Sequence, residues 1–392
     1  MAKMIKAVSL LLAFCMIFSL CGCGSSGNAE TIVEEEIVYV SDESSSANGT
    51  QSNTSGNNTQ NNNQNTDTSS NNNNTQNNST QNTEDNKKVK TIKVLAIGNS
   101  YSNNTTQYIS RIADSTKGNT TVFAASLFFS GATLSQHIAN IEQWNTLFDQ
   151  YGLEETKKQY YSDAVPNSRK YEWLQVGDKN LRTVRSLYEA IRYEDWDYIT
   201  IQQSPDGCDD FSTYEPYLIK LYDYIQAEYN RDDMNGKKCP PILVHQTWAF
   251  NNDMAKNNAY KYYPVNYKNN TEMFKKVEQA YNLAVQKIKE EKGVDAPMIK
   301  SGQAVELAQA KYGYARTASE NLADNTLYAD EISHLNKRGC YLTACVWIET
   351  LAKLAGVNID TRTATFVPLV DGASAEDCQT LQYIAHSVVH GE

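Results

Sequence analysis

The segment Val94-Leu95-Ala96-Ile97-Gly98-Asn99-Ser100-Tyr101-Ser102 constrains the fold of this chain more than any other. Its opening apolar run, unbroken by a polar residue, reads as a strand buried on both faces. The Gly98-Asn99 pair then turns the chain and delivers Ser100 to the turn. Asn103-Asn104-Thr105-Thr106 follow and lead into a helical pattern. Strand, tight turn, serine and helix N-terminus in that order are what a hydrolytic site on a sheet requires. The turn lifts the hydroxyl off the sheet, and the helix N-terminus offers unpaired N–H groups to an anion. Gly-Asn-Ser is also simply a good turn, so the segment points to chemistry only in company with others.

Strand and helix patterns alternate along the chain that follows. A helix is expected at about Thr105–Lys117, then a strand at Thr121–Ala125 running into a loop that contains Gly131, then a helix from Leu134. The polar, Tyr-rich stretch from about Trp144 to Asn180 reads as an excursion with a small hairpin around Tyr171–Gln175. Helices at about Thr183–Arg192, Glu215–Glu228 and Thr271–Glu291 alternate with strands at Trp196–Ile201, Pro241–His245 and Pro297–Lys300. Helices at about Gln303–Tyr312, Lys337–Ala355 and from Ser374 to about Val389 close the chain, with a loop at Asn321–Ser333 before His334. This alternation predicts an α/β fold with a parallel, doubly wound sheet. Ligands of such sheets gather outside the carboxyl ends of the strands. Ser100, Gly131, Gln202 and Trp248 each follow directly on a strand and so converge on one edge.

The first part of the chain cannot join that sheet. Met1 to Cys23 pairs a basic start (Lys3, Lys6) with an apolar run from Ala7 to Leu20, too short to span a bilayer comfortably and laid out as an export signal. Its end, Leu20-Cys21-Gly22-Cys23, resembles the lipobox of bacterial lipoproteins. That resemblance implies lipidation of Cys23 and an extracytoplasmic protein held at the bacterial cell membrane by acyl chains. From about Asp42 to Asp85 the chain is Asn, Gln, Ser and Thr with almost no apolar residue, and it cannot offset its own ordering entropy. As a tether from Cys23 to Lys90 it spans on the order of 45 Å root-mean-square.

The net charge of −11 comes with no basic cluster, which argues against nucleic acid and anionic lipid headgroups as partners. Beyond the lipobox the cysteines are Cys208, Cys239, Cys340, Cys345 and Cys378. Their number is odd and none forms a CxxC pair, so neither a zinc site nor a disulfide framework is signalled.

Four blocks in order, Ile97-Gly98-Asn99-Ser100, Ser130-Gly131, Trp196-Asp197-Tyr198-Ile199-Thr200-Ile201-Gln202 and Ser333-His334-Leu335-Asn336, together resemble the SGNH/GDSL hydrolase superfamily, and within it an uncharacterised branch. The resemblance runs from about Lys93 to the C-terminus. It implies a three-layer α/β/α, flavodoxin-like fold with a parallel central sheet. The expected division is therefore residues 1–23 as signal peptide with lipobox, 24–89 as disordered tether and 90–392 as SGNH hydrolase-like domain. The implied chemistry is hydrolysis of an ester, often an acetyl group on a carbohydrate, with a serine nucleophile in the first block and a histidine base in the last.

The residues can be assigned roles on that basis. Ser100 needs a base within hydrogen-bond reach. The histidines are His137, His245, His334, His386 and His390. His334, in a loop with carboxylates just upstream, is the favoured base; His245, at a strand end, is its competitor, and His386 and His390 read as packing or solvated residues of a terminal helix. The resemblance places an Asp three residues before the His, but here that position is Glu331, with Asp330 four before. Asp330 is favoured as the third member and Glu331 is second. The oxyanion donors implied are the backbone N–H groups of Ser100 and Gly131 with the side-chain amide of Gln202, or alternatively Gln203, in place of the superfamily's Asn. Asp330, Glu331 and His334 lack the further ligands of a metal cluster, so neither metal nor other cofactor is expected. Trp173, Trp248 and the tyrosines are candidates for a sugar-stacking rim.

The expected protein is thus a lipid-anchored serine esterase acting on an acylated glycan or another small ester. Two alternatives stand beside it: a catalytically silent glycan-binding lipoprotein on the same fold, and a lipase or thioesterase.

Overall fold

The computed structural model describes residues 90–177, 179–256, 267–319, 324–368 and 374–392. The expected signal peptide with Cys23, and the tether at 24–89, lie outside the described residues. Strand β1 (Lys90–Gly98) is the centre of the body, and Val94, Leu95, Ala96 and Ile97 are all completely buried. Ile92, Val94 and Ala96 join one hydrophobic core and Leu95 and Ile97 another, so both faces of the strand are covered.

The turn after β1 runs straight into α1 (Ser100–Thr106), because the Asn99 side chain caps it by accepting the Tyr101 N–H at 3.0 Å. The single helix expected at Thr105–Lys117 is instead this short helix plus α2 (Ile109–Asp114). Asn-Asn-Thr-Thr are weak helix formers, and the break at 107–108 lets Ile109 and Ile112 turn into the core. β2 (Thr120–Phe128) then pairs parallel with β1 from Lys90↔Thr120 to Gly98↔Phe128.

The stretch expected as an excursion is more ordered than its polarity suggested. α3 (Leu134–Tyr151) starts on a Thr133/Gln136 capping box, α4 (Leu153–Tyr161) follows, and β3 (Trp173–Val176) and β4 (Lys179–Leu181) add an antiparallel hairpin beyond β2. The remaining elements are α5 (Leu187–Arg192), β5 (Tyr198–Ile201), α6 (Tyr217–Tyr229), β6 (Ile242–His245), α7 (Asn252–Lys256), α8 (Asn270–Lys292), β7 (Met298–Ile299) and α9 (Ser301–Lys311). After them come β8 (Ala315–Ala318), β9 (Thr326–Tyr328), α10 (Lys337–Ala355) and α11 (Ala375–His390). β8 and β9 form a small parallel pair, β9 inside the stretch that reads from sequence as a loop (Asn321–Ser333) and β8 just before it; strands of three and four residues leave too short a pattern to see.

The main sheet has the order β4-β3-β2-β1-β5-β6-β7, with every pair from β2 to β7 parallel. Leu134, Leu187, Leu221 and Val277 bring α3, α5, α6 and α8 to one face, while Ile112, Val305, Val346 and Leu381 bring α2, α9, α10 and α11 to the other. The fold is α/β, a mostly parallel sheet flanked by helices. Connections leave β1 toward β2 on one side and return to β5 on the other, so the carboxyl end of β1 is a switch point where a crevice opens. No helix among the described residues is long and apolar enough to cross a membrane.

Gly98 closes β1 where there is no room for a side chain. A Cβ there would overlap Ser102 Oγ and lie 2.9 Å from Gln202 Cδ. Gly98→Ala should therefore lower stability by about 1–3 kcal/mol through overpacking, read as a lower urea midpoint at unchanged slope. A midpoint equal to that of the wild type would show that the turn relaxes freely.

Candidate active site

Ser100 is the first residue of α1, at the carboxyl end of β1. Beneath it lies a closed set of buried polar groups. Asn99 accepts the Tyr101 N–H and the Gln202 Nε2–H (2.8 Å) on Oδ1, and donates its own amide to the Ala132 carbonyl at 3.2 Å. Gln202 Oε1 accepts the Ser102 hydroxyl at 2.6 Å and lies 3.0 Å from His245 Nδ1. That oxygen can only accept, so His245 carries its proton on Nδ1, and Nε2 is left to accept the Ser301 hydroxyl at 3.0 Å. Burial lowers the His245 pKa to about 3, which agrees with a neutral ring. His245 is therefore part of the support under the turn, and its nitrogens do not reach Ser100.

The base comes from the far end of the chain. His334 Nε2 lies 2.8 Å from Ser100 Oγ, and Nδ1 lies 2.7 Å from Asp330 Oδ2. Asp330 Oδ1 also accepts the His334 backbone N–H at 2.9 Å, so one carboxylate fixes both the ring and its peptide. Glu331 is exposed, so of the two carboxylates considered it is Asp330 that meets the imidazole. The spacing of four works because the loop folds back on itself. Ser333 takes a left-handed backbone (φ 66°), its N–H donates to the Asp330 carbonyl at 3.1 Å, and the Ala329 N–H donates to the His334 carbonyl at 2.8 Å.

Neighbouring elements hold this loop in place. Trp248, fully buried, donates Nε1–H to the Ser333 carbonyl at 2.9 Å and stacks on Tyr101 with ring centroids 4.2 Å apart. The Asn251 N–H donates to Ser333 Oγ at 2.7 Å and its amide to the Asp330 carbonyl at 3.2 Å, while Asn104 Oδ1 accepts the Leu335 N–H at 3.1 Å. Trp248, expected as a stacking rim, is thus a buried prop and has no free face for a sugar. Trp173 is also committed to packing, stacked on Phe128 at 4.7 Å.

A cavity of about 420 Å³ opens over Ser100 and His334, lined among others by Tyr101, Phe128, Ser130, Gly131, Ser204, Asp206 and Phe250. Gly131 stands in it with φ 63°, and neither its N–H nor that of Ser100 has an acceptor among the described residues. Ser204 Oγ–H donates to the Gly131 carbonyl at 3.2 Å and so steadies that loop. Burial, with Asp209 beside it, raises the pKa of Asp206.

Gln202 is not brought to this cavity. Its amide is turned into the network under Asn99, because the strand end leaves it facing the buried Ser102 and His245. Gln203 is equally committed, accepting the Leu134 N–H at 3.0 Å and donating to the Thr213 carbonyl at 2.9 Å. The side-chain oxyanion donor expected from either glutamine is thus absent from the arrangement. His137 is buried against Tyr171 Oη at 2.8 Å, and His386 and His390 sit by Glu349, far along α10 from His334. Ser102 and Asn251 went unread as parts of the site, while Asn99 and Ser333 were read only as members of the blocks around Ser100 and His334, without the supporting roles they take here.

Residues 93–386 match the family model described as "Domain of unknown function (DUF4886)". A DUF4886 family protein from Bacteroides uniformis ATCC 8492, known as a crystal structure, has a TM-score of 0.55 at 22% sequence identity, over 77% of this chain and 96% of that one. That likeness shows a shared fold. A protein from Slackia heliotrinireducens, described as a candidate SGNH hydrolase, covers 67% of this chain and 99% of its own at 16% identity, with a TM-score of 0.35 that carries no argument. No curated protein matches the chain in sequence.

The buried histidines make stability depend on pH. Burial lowers both His137 and His245 from 6.5 to about 3, whereas the unfolded imidazoles titrate near their ordinary value. The unfolded state binds more protons between those limits, so their contribution is complete above pH 6.5 and is lost as pH falls toward 3, by up to about 1.4 kcal/mol per pH unit each. Urea unfolding followed from pH 7 downward should show this decline, and a shallower one in His245→Gln. Equal slopes in the two proteins would refute the assignment for His245.

Proposed function

The chain belongs to the DUF4886 family, and from its own Ser100–His334–Asp330 arrangement we propose that it is an SGNH-type serine ester hydrolase. The observation that carries the reading is the pair of short contacts on the two nitrogens of one imidazole: a serine hydroxyl on one side and a carboxylate on the other. The parallel strands taken alone run β2-β1-β5-β6-β7, which supports reading the body, residues 90–392, as the three-layer flavodoxin-like arrangement.

In this mechanism Ser100 Oγ attacks the acyl carbon while His334 Nε2 takes the hydroxyl proton, and Asp330 holds Nδ1–H and stabilises the imidazolium. The carbonyl oxygen, now an anion, is received by the N–H groups of Ser100 and Gly131. Collapse breaks the ester bond, and the leaving alkoxide takes the proton from His334. Water then attacks the acyl-enzyme with His334 as base, and the acid leaves as Ser100 recovers its proton. The carbohydrate O-acyl substrate, acetyl above all, is supported by a cavity of modest volume with aromatic and hydroxyl walls. The export signal, the lipid on Cys23 and the tether belong to the same proposal and place the enzyme outside the cell membrane.

The lack of a side-chain amide beside Gly131 favours one rival, a glycan-binding protein without turnover. Labelling with an organophosphonate separates the two readings. The wild type should react and Ser100→Ala should not; equal labelling of both overturns the hydrolase. Acetate release from acetylated xylan, peptidoglycan or a chromogenic acetate should fall on the order of 10⁴-fold in kcat for Asp330→Asn, the cost of losing the imidazole's correct tautomer. Glu331→Gln should keep wild-type kcat, and the reverse result would move the third role to Glu331.

A further inference from the structure

We propose that Glu349, His386 and His390 form a binding site for one first-row divalent cation of the Zn²⁺ type, joining α11 to α10. His386 and His390 lie four apart on α11, on one face, with their rings stacked at 4.3 Å. Both face Glu349 of α10: His390 Nε2 is 3.0 Å from Glu349 Oε2, and His386 Nδ1 is 3.4 Å from Oε1. One ligand atom from each of the three residues lies within 4.8 Å of the others. Ligands at about 2.0–2.2 Å from a tetrahedral Zn²⁺ stand roughly 3.3–3.5 Å apart, so only a small closure is needed.

A second observation points to a ligand. The side chain of His386 is 9% exposed, yet its Nδ1 has no hydrogen-bond partner among the described residues. The reason lies in the carboxylate. Glu349 Oε1 already accepts the Thr361 N–H and the Thr361 hydroxyl, both at 2.7 Å, and these use its lone pairs. Those two donors orient the carboxylate as the partners of a metal ligand do. On the outer side of His386, Nε2 lies 3.4 Å from Glu392 Oε2.

Protons alone satisfy this cluster poorly. Glu349 is 2% exposed, and a buried carboxylate needs a cation. His390 Nε2 and Glu349 Oε2 satisfy each other at 3.0 Å, while His386 Nδ1, 3.4 Å from an oxygen already taken by Thr361, is left over. A single divalent ion between two neutral rings and the carboxylate satisfies all three. The surrounding charge suits it: Arg362 is paired to Asp360 at 3.0 Å and reaches Glu392 at 3.8 Å, so carboxylates outnumber it around the site. Glu349 lies about 18 Å along α10 from the turn that carries His334, so the cation would hold helices together and take no part at Ser100.

The test uses the full chain without an added histidine tag, stripped with a chelator and dialysed. Titration with ZnCl2 by calorimetry should show one ion per chain, with a rise in Tm on saturation. His390→Ala, at an exposed position, should keep the wild-type circular dichroism and lose affinity by more than about 100-fold. Thr361→Val, which removes one of the two outer donors, should lose about 10-fold. A wild type that takes up no Zn²⁺ at equimolar addition, or a folded His390→Ala that binds as tightly as wild type, overturns the proposal. Ester hydrolysis by the stripped protein is read separately, so loss of one conclusion leaves the other standing.

Discussion

The geometry at Ser100 depends on a set of buried polar groups that satisfy one another. Asn99, Ser102, Gln202, His245 and Ser301 lie buried at or just beyond the ends of β1, β5, β6 and β7. The orientations follow in turn: the Tyr101 N–H and the Ala132 carbonyl fix which end of the Asn99 amide is oxygen. Asn99 Oδ1 then requires the Gln202 nitrogen, and the remaining Gln202 oxygen sets the His245 proton. Removing one member leaves the rest unsatisfied at about 1–3 kcal/mol each, so the turn that presents Ser100 has one low-energy form. Gly98 belongs to the same constraint, because only a residue without Cβ lets Ser102 and Gln202 meet behind it.

The other half of the site is a loop made rigid by its neighbours. Between Tyr328 and Leu335, which bridge each other, Ala329 bonds His334 and Ser333 bonds Asp330, so the segment is closed locally before anything docks on it. Trp248 and Asn251 in the loop after β6, with Tyr101 and Asn104 in α1, then fix it to two other parts of the chain. A left-handed Ser333 is costly for a residue with a side chain, and those bonds are what hold it there. The result is that the carboxylate at four residues' spacing reaches the same imidazole nitrogen that a carboxylate at three would serve.

What the sequence made legible follows from this division. Ser100, Gly131 and His334 were readable because each marks a chain reversal at a strand end or before a helix, and local composition signals such places. α10 was read with its bounds intact for the same reason: Asn336 caps one end and Gly356 the other. Gln202 was misread because its residue type fits two environments, a donor in a cavity or a partner under a turn, and only the positions of Asn99 and His245 decide between them. The break between α1 and α2 was missed because weak helix formers mark no exact end, and where it falls depends on Ile109 and Ile112 reaching the core. β8 and β9, of four and three residues, are too short to leave a pattern. Asp330 was favoured over Glu331 in the sequence, and it meets the imidazole because the loop folds back through Ser333 (φ 66°) and its two backbone hydrogen bonds.

α10 links the two ends of the molecule that carry chemistry. It follows directly on the loop of His334, and from Arg338 to Ala352 every residue is buried. A helix packed on all sides cannot tilt or slide without opening voids against α9, α11 and the sheet, and interiors at crystal-like density resist that. His334 therefore inherits its position from the core. Glu349 stands near the other end of α10, about 18 Å along the axis, and α11 is held to α10 at both places, by His386 and His390 beside Glu349 and by the Arg338–Asp377 ion pair at 2.9 Å. A chain built this way can stabilise its terminal helix with a cation and still leave the proton path between Asp330, His334 and Ser100 unaltered.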